Sequence, residues 1–288
     1  MNLIHAFEIK NKDIITIVGA GGKTSLMFSA SSLLRRDFKV LVTTTTHIYV
    51  PDDKLYDEMI MLSDFENNKI SNKDENLNEN NEDKSFNEKY NKEKLDYIFR
   101  DNKRGIYLVG NNIINNCKIK GLTFEQLDKV IPYFDIVIIE GDGSKEKCLK
   151  GWNDSEPVIY PKTTKTIGVV DITSVGLDIN EDNIHRLDRF LEIIKNDSHN
   201  KVYDSAENFK YSLCDKVNIN HLKNMILNKN GLFKVSRGER ILFINKVENI
   251  NNKKNSLKLI ESIKDKGSFN VDSFIYGSVR EKEFIKVE

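Results

Sequence analysis

Residues 14–25 read Ile-Ile-Thr-Ile-Val-Gly-Ala-Gly-Gly-Lys-Thr-Ser, an apolar run that ends in glycines, a lysine and two hydroxyls. Glycines let successive backbone N–H groups turn inward around phosphate oxygens, and a helix starting just after them aims its positive end at the same point. In such a loop Lys23 would neutralise β/γ-phosphate charge, and Thr24, with Ser25 as the alternative, would offer a hydroxyl to Mg²⁺. The expectation is a site for ATP or GTP with Mg²⁺, built from Gly19, Ala20, Gly21, Gly22, Lys23, Thr24 and Ser25. Nothing in these residues chooses between the two nucleotides.

Such a loop needs a strand before it and a helix after it. Residues 14–18 supply the strand, and the run from Leu26 to Leu34 is compatible with the helix. The β-branched stretch from Lys39 to Thr46 then predicts a second strand, completing a βαβ unit. Further strands are expected at 105–110, 134–140, 166–170, 240–245 and 272–276, and helices near 94–101, 123–130, 181–195 and 256–266. Thr123, with Gln126 three residues on, has the form of a capping box. This alternation predicts a three-layer α/β fold, a mostly parallel twisted sheet with helices on both faces, and ligands at the carboxyl ends of its strands. A single domain over residues 1–288 is expected. It is interrupted at 66–94 by an Asn/Lys/Glu/Asp/Ser-rich insertion whose composition cannot offset its chain entropy.

Three further stretches carry chemistry. The apolar strand 134–139 delivers Glu140-Gly141-Asp142-Gly143-Ser144 to the sheet's carboxyl edge, where an acid can hold Mg²⁺ directly or through water. Glu140 is the first choice for the metal and Asp142 the second. Asn245-Lys246-Val247-Glu248 follows another strand and resembles the N-K-x-D element with which GTPases read guanine, Glu248 replacing the aspartate. Alternatively, Asn245 and Lys246 cap the strand. The run Thr43-Thr44-Thr45-Thr46-His47 leaves the second strand on the same edge. Thr45, Thr46 and His47 are candidate substrate contacts, with plain strand structure as the alternative.

Composition narrows the rest. The 288 residues carry 44 basic and 44 acidic side chains, and the basic ones form no single stripe. Neither nucleic acid nor an anionic membrane is an expected partner. Cys117, Cys148 and Cys214 are far apart with no C-x-x-C pair, so each is expected to be a reduced, partly buried thiol rather than part of a disulfide or zinc site. No run approaches the ~18 apolar residues of a membrane span, and the N-terminus lacks the basic and apolar regions of a signal peptide. A cytoplasmic protein is expected.

The loop Gly19 to Thr24 reads G-x-x-G-K-T, shorter than G-x-x-x-x-G-K-[ST], and resembles the ATP loop of Mur-type amide ligases and folylpolyglutamate synthases. A wider set of motifs resembles the YqeC family. These are residues 19–25, Val42 to Thr46, Glu140 to Ser144, Leu149-Lys150, Glu156-Pro157-Val158-Ile159-Tyr160-Pro161 and His185-Arg186, and the resemblance is expected to run from about Asp13 to Val279 apart from the insertion at 66–94. Members are described as accessory proteins of selenium-dependent molybdenum hydroxylases, or as selenium cofactor biosynthesis proteins. The resemblance implies a P-loop fold, with Gly19, Gly21, Gly22, Lys23 and Thr24 on the nucleotide and Glu140 and Asp142 on the metal side. It also implies a part in maturing a selenium-containing molybdenum centre, the hydroxylase or its cofactor machinery being the partner.

Two functions fit. In one, an NTPase with Lys23, Glu140 and Asp142 as its catalytic groups couples phosphoryl transfer to activation of selenium or a cofactor precursor. In the other, a nucleotide-gated chaperone docks the cofactor with little turnover. A Mur-like ligase is a weaker third, because no second ligase domain is evident. Lys150 reads as a solvated lysine or a substrate contact, and Arg186 as an anion fork or a surface ion pair.

Overall fold

A computed structural model describes residues 1–66, 92–101, 103–115, 117–195, 216–265 and 271–287. Most of the expected insertion, from 67 to 91, lies outside the described residues, as does Cys214.

The frame is a nine-stranded sheet built from β1 (Ile14–Gly19), β2 (Lys39–Thr44), β3 (Glu58–Met61), β4 (Gly105–Gly110), β5 (Ile136–Glu140), β6 (Lys165–Asp171), β7 (Glu239–Asn245), β8 (Ser273–Ser278) and β9 (Glu283–Val287). Its order is β9-β8-β7-β6-β1-β5-β2-β4-β3, parallel throughout except for the antiparallel edge strand β9. The helices used below are α1 (Lys23–Leu34), α2 (Phe124–Val130), α3 (Leu187–Lys195), α4 (Ile219–Leu227) and α5 (Ile250–Lys264).

Alternate residues of the inner strands enter two different cores, which is why these strands read as unbroken apolar runs. Ile15, Ile17, Ile138, Ile167, Phe243 and Ile275 pack on one face with Leu26 and Met27 of α1. On the other face Val170, Leu242, Ile244 and Phe274 meet α3, α4 and α5, while Leu41, Val109, Val137 and Ile139 meet α2 and Phe99. The expected three-layer α/β arrangement is therefore found. The Thr123 capping box is formed in both directions, with Gln126 answering Thr123.

Topology fixes the place of the site. From β1 the chain steps past β5's position to β2, whereas from β5 it crosses to β6 on the opposite side of β1. The reversal puts the sheet's switch point at the carboxyl end of β1, the position where open α/β sheets receive ligands.

Three expectations are corrected. The helix expected from Glu181 starts only at Leu187, because Ile184 and His185 instead pair in parallel with Leu149 and Lys150. The last helix begins at Ile250, earlier than Ser256, with Asn249 accepting a bond from the Asn252 N–H. Cys117 is exposed rather than partly buried, whereas Cys148 is half-buried as expected.

Candidate functional site

β1 ends in Gly19, and Gly19, Gly21 and Gly22 all have positive φ, at 103°, 82° and 126°. At Gly21 the requirement is steric as well: a methyl there would lie 2.3 Å from Asp171 Cβ. The loop leads directly into α1, whose first turn has Gly22 at its cap position and no side-chain cap. Backbone donors at that end are thus left to other acceptors.

The inward stripe of α1 runs Lys23, Leu26–Met27, Ala30–Ser31 and Leu34, the spacing of one helix face. Lys23 therefore points inward. Its Nζ donates to Gly19 O at 2.8 Å and lies 3.7 Å from Glu140 Oε1 and 3.5 Å from Asp142 Oδ1. The Thr24 hydroxyl donates to Glu140 Oε2 at 2.7 Å. Ser25, one step further round the helix, is exposed. Burial pushes the Glu140 carboxyl above its ordinary range, with Lys23 and the Thr24 hydroxyl opposing that shift.

Asp142 has no exposed surface. It accepts from the Gly19 N–H at 3.1 and 3.2 Å and from the Trp152 indole N–H at 2.7 Å. Lys150 Nζ lies 3.1 Å from its Oδ2. Its oxygens are thus occupied by protein donors, and the group it positions is the first glycine of the loop. Lys150, in contrast to a solvated lysine, is wholly buried. Arg186 forks onto Glu156, its Nη2 at 3.0 Å. Although burial raises it, Glu156 is held down to about 2 by the Arg186 and Lys150 cations.

Glu156 gives a stability prediction. Its folded pKa lies below the unfolded one, so its contribution is present above about pH 4.5 and is lost as pH falls towards 2. Urea midpoints of the native protein and Glu156→Gln are expected to converge over that window, by up to ~3 kcal/mol. Parallel pH profiles would contradict the pairing.

On the far side of the loop, Asn245 Nδ2 donates to Gly21 O at 2.9 Å and its Oδ1 accepts from the Val279 N–H at 3.1 Å. A methyl on Gly22 would meet that amide nitrogen at 2.3 Å. Lys246, in left-handed backbone, pairs with Asp171 at 2.5 Å. Asn245 and Lys246 thus reach the loop, the first as its brace. Glu248 instead accepts from Ser278 Oγ at 3.0 Å and pairs with Arg280 at 3.4 Å.

Of the threonine run, Thr45 donates to Val158 O at 2.6 Å and Thr46 is 3.3 Å from the Thr44 hydroxyl. His47 is exposed on a separate three-stranded sheet. The side chains of Thr45 and Thr46 are thus engaged at the strand end and its neighbours, and only the Thr45 backbone N–H reaches Glu140, donating to its carbonyl at 3.1 Å.

Two site residues are not apparent from sequence motifs alone. Asp171 ends β6 as Glu140 ends β5, and that parallel is a usable signal. Trp152 comes from an irregular segment with no such signature.

The family model for the YqeC protein matches residues 15–188, the span that holds the loop, Glu140, Asp142, Lys150 and Arg186. The chain belongs to the YqeC family. A curated relative, the uncharacterized protein YqeC of Escherichia coli (strain K12), is 28% identical over 187 residues. That alignment covers 64% of this chain and 61% of the relative. No solved structure matches. The YqeC match ends before α4, β7 and α5, so Asn245 and Lys246 lie beyond it. Among the described residues no helix is long and apolar enough to cross a membrane.

Proposed function

We infer that this YqeC-family chain binds the polyphosphate of ATP or GTP together with Mg²⁺, on the loop from Gly19 to Ser25. One observation carries the reading: a buried lysine and a threonine hydroxyl, adjacent at an uncapped helix start, converge on one carboxylate at the sheet's switch point. No ordinary glycine turn needs a lysine buried there.

The donors suit Mg²⁺. A hydroxyl and a carboxylate oxygen 2.7 Å apart are hard oxygen ligands of the kind that hold this ion through one or two protein groups plus phosphate. When bound, Mg²⁺ supplies charge neutralisation at the phosphates. The protein's own part is to orient the loop N–H groups through Asp142 and Asn245, to present the Lys23 ammonium, and to hold Thr24 and Glu140 together.

We propose that this activity serves the maturation of a selenium-dependent molybdenum hydroxylase or its cofactor, the role that the motif resemblance implies. Turnover stimulated by a small molecule would favour an enzyme acting on a precursor; stimulation only by a protein partner would favour a nucleotide-gated chaperone. The binding itself is tested by calorimetric titration with ATP and with GTP, each with Mg²⁺ and with EDTA. One nucleotide is expected to bind with Mg²⁺ and at least ~10-fold more weakly in EDTA. Absence of binding by both would overturn the reading.

A further inference from the structure

The loop region buries more charge than a phosphate site alone requires. Lys23, Lys150 and Arg186 face Glu140, Asp142 and Glu156, three cations against three carboxylates. Lys23 holds neither of its carboxylates closely, at 3.7 and 3.5 Å, and its one short contact is a carbonyl. Lys150 is tied far more firmly. Its ammonium meets Gly143 O at 2.5 Å, Glu156 Oε2 at 2.9 Å and Asp142 Oδ2 at 3.1 Å, and stands 5.6 Å from the Trp152 ring centre.

Burying an ammonium without exposed surface is costly unless charges and hydrogen bonds compensate it. Nor is the lysine part of the main sheet, since Leu149–Lys150 pairs only with Ile184–His185. A separate ribbon therefore exists that brings one more cation beneath the loop.

We propose that Lys150 is the standing counter-ion of Asp142, a positioning residue whose buried charge releases Lys23 to face the polyphosphate of a nucleotide. The proposal rests on the nucleotide reading above. Asp142 must stay in place, because it accepts the Gly19 N–H and so sets the start of the loop. If Lys23 were its only cation, Lys23 would be held there and withheld from an incoming anion. With Lys150 at 3.1 Å the carboxylate is balanced whether or not Lys23 turns away. Arg186 completes the arrangement: its fork shares Glu156 with Lys150, whose ammonium at the same time stays within 3.1 Å of Asp142.

The test is a charge-rescue cycle of Lys150→Met, Asp142→Asn and the double variant. Each is titrated by calorimetry with whichever of Mg²⁺-ATP or Mg²⁺-GTP the native protein binds, and thermal unfolding reports folding. Lys150→Met is expected to weaken binding at least ~30-fold, Asp142→Asn only ~3-fold, and the double variant is expected to return to within ~3-fold of Asp142→Asn. A purely packing role for Lys150 would give no such rescue.

A folded Lys150→Met that binds within ~3-fold of the native protein overturns the proposal. So does a double variant no better than Lys150→Met. If Lys150→Met does not fold, a double variant that folds and binds supports the proposal, and one that also fails overturns it. A native protein that binds neither nucleotide overturns the parent reading and this one together, so the two failures are told apart by the native titration.

Discussion

Lys23→Ala is expected to cut affinity for Mg²⁺-ATP or Mg²⁺-GTP by at least ~100-fold, since a charge-assisted contact to phosphate is lost in a site shielded from water. The lysine sits on the inward stripe of α1, so no other residue of that helix can take its place. Alanine also removes the cation that opposes the burial of Glu140, whose carboxyl is already pushed up. A raised folded-state pKa means stability that is full below the unfolded pKa and lost as pH rises. The variant should therefore be less stable than the native protein near neutrality and approach it in acid. Calorimetry on the folded variant decides the functional half. Unchanged affinity there would falsify the phosphate-loop reading.

The second large effect is at Glu140. Glu140→Gln keeps the shape and a hydrogen-bond partner for Thr24 but removes the anionic oxygen offered to Mg²⁺. Affinity measured with Mg²⁺ should fall by ~100-fold, to the level seen in EDTA, while affinity in EDTA changes little. The ligand-free variant should at the same time be more stable than the native protein at pH 7, because the neutral amide escapes the cost of a buried, ionised carboxylate. That advantage should shrink as pH falls and vanish below the unfolded value of 4.5, where the carboxyl is protonated in both states. Lower function with higher stability identifies a group retained for ligand binding; lower values of both would mean that Glu140 is a structural ion-pair partner.

How much of this was visible in the chain beforehand depended on the range of the interaction involved. β1, β5, β6 and β7 are apolar runs because both faces of each are covered, and such runs need no knowledge of their neighbours to be recognised. The start of α1 was equally visible, since glycines followed by Lys-Thr are a local signal. The edge strands β3 and β9 were not. They are short and half-exposed, with burial that gives no clean period. α3 is shorter than the pattern over 181–195 predicts, because Ile184 and His185 are taken into a ribbon by residues 149 and 150.

The site divides in the same way. The glycines, Lys23, Thr24 and Glu140 lie in local motifs. Lys150 carries no local sign of burial, and its place under the loop follows from acceptors supplied by residues 142, 143 and 156 together. Asn245 and Lys246 have a base-reading pattern in the sequence, whereas the contact of the Asn245 amide with Gly21 O joins residues far apart in the chain and has no local sign.

That brace has a consequence for how the protein is made. Gly21 and Asn245 are 224 residues apart in the chain, and Gly19 and Asp142 are 123 apart. β1 itself gains its two sheet neighbours only when residues 136–140 and 165–169 arrive. The glycine loop is thus among the first segments to leave the ribosome and among the last to acquire its shape. Pairings of such long range carry a high loop-closure cost and form late. The braced loop conformation therefore arises only in a chain synthesised past Asn245, and a shorter product lacks the Asn245 contact to Gly21.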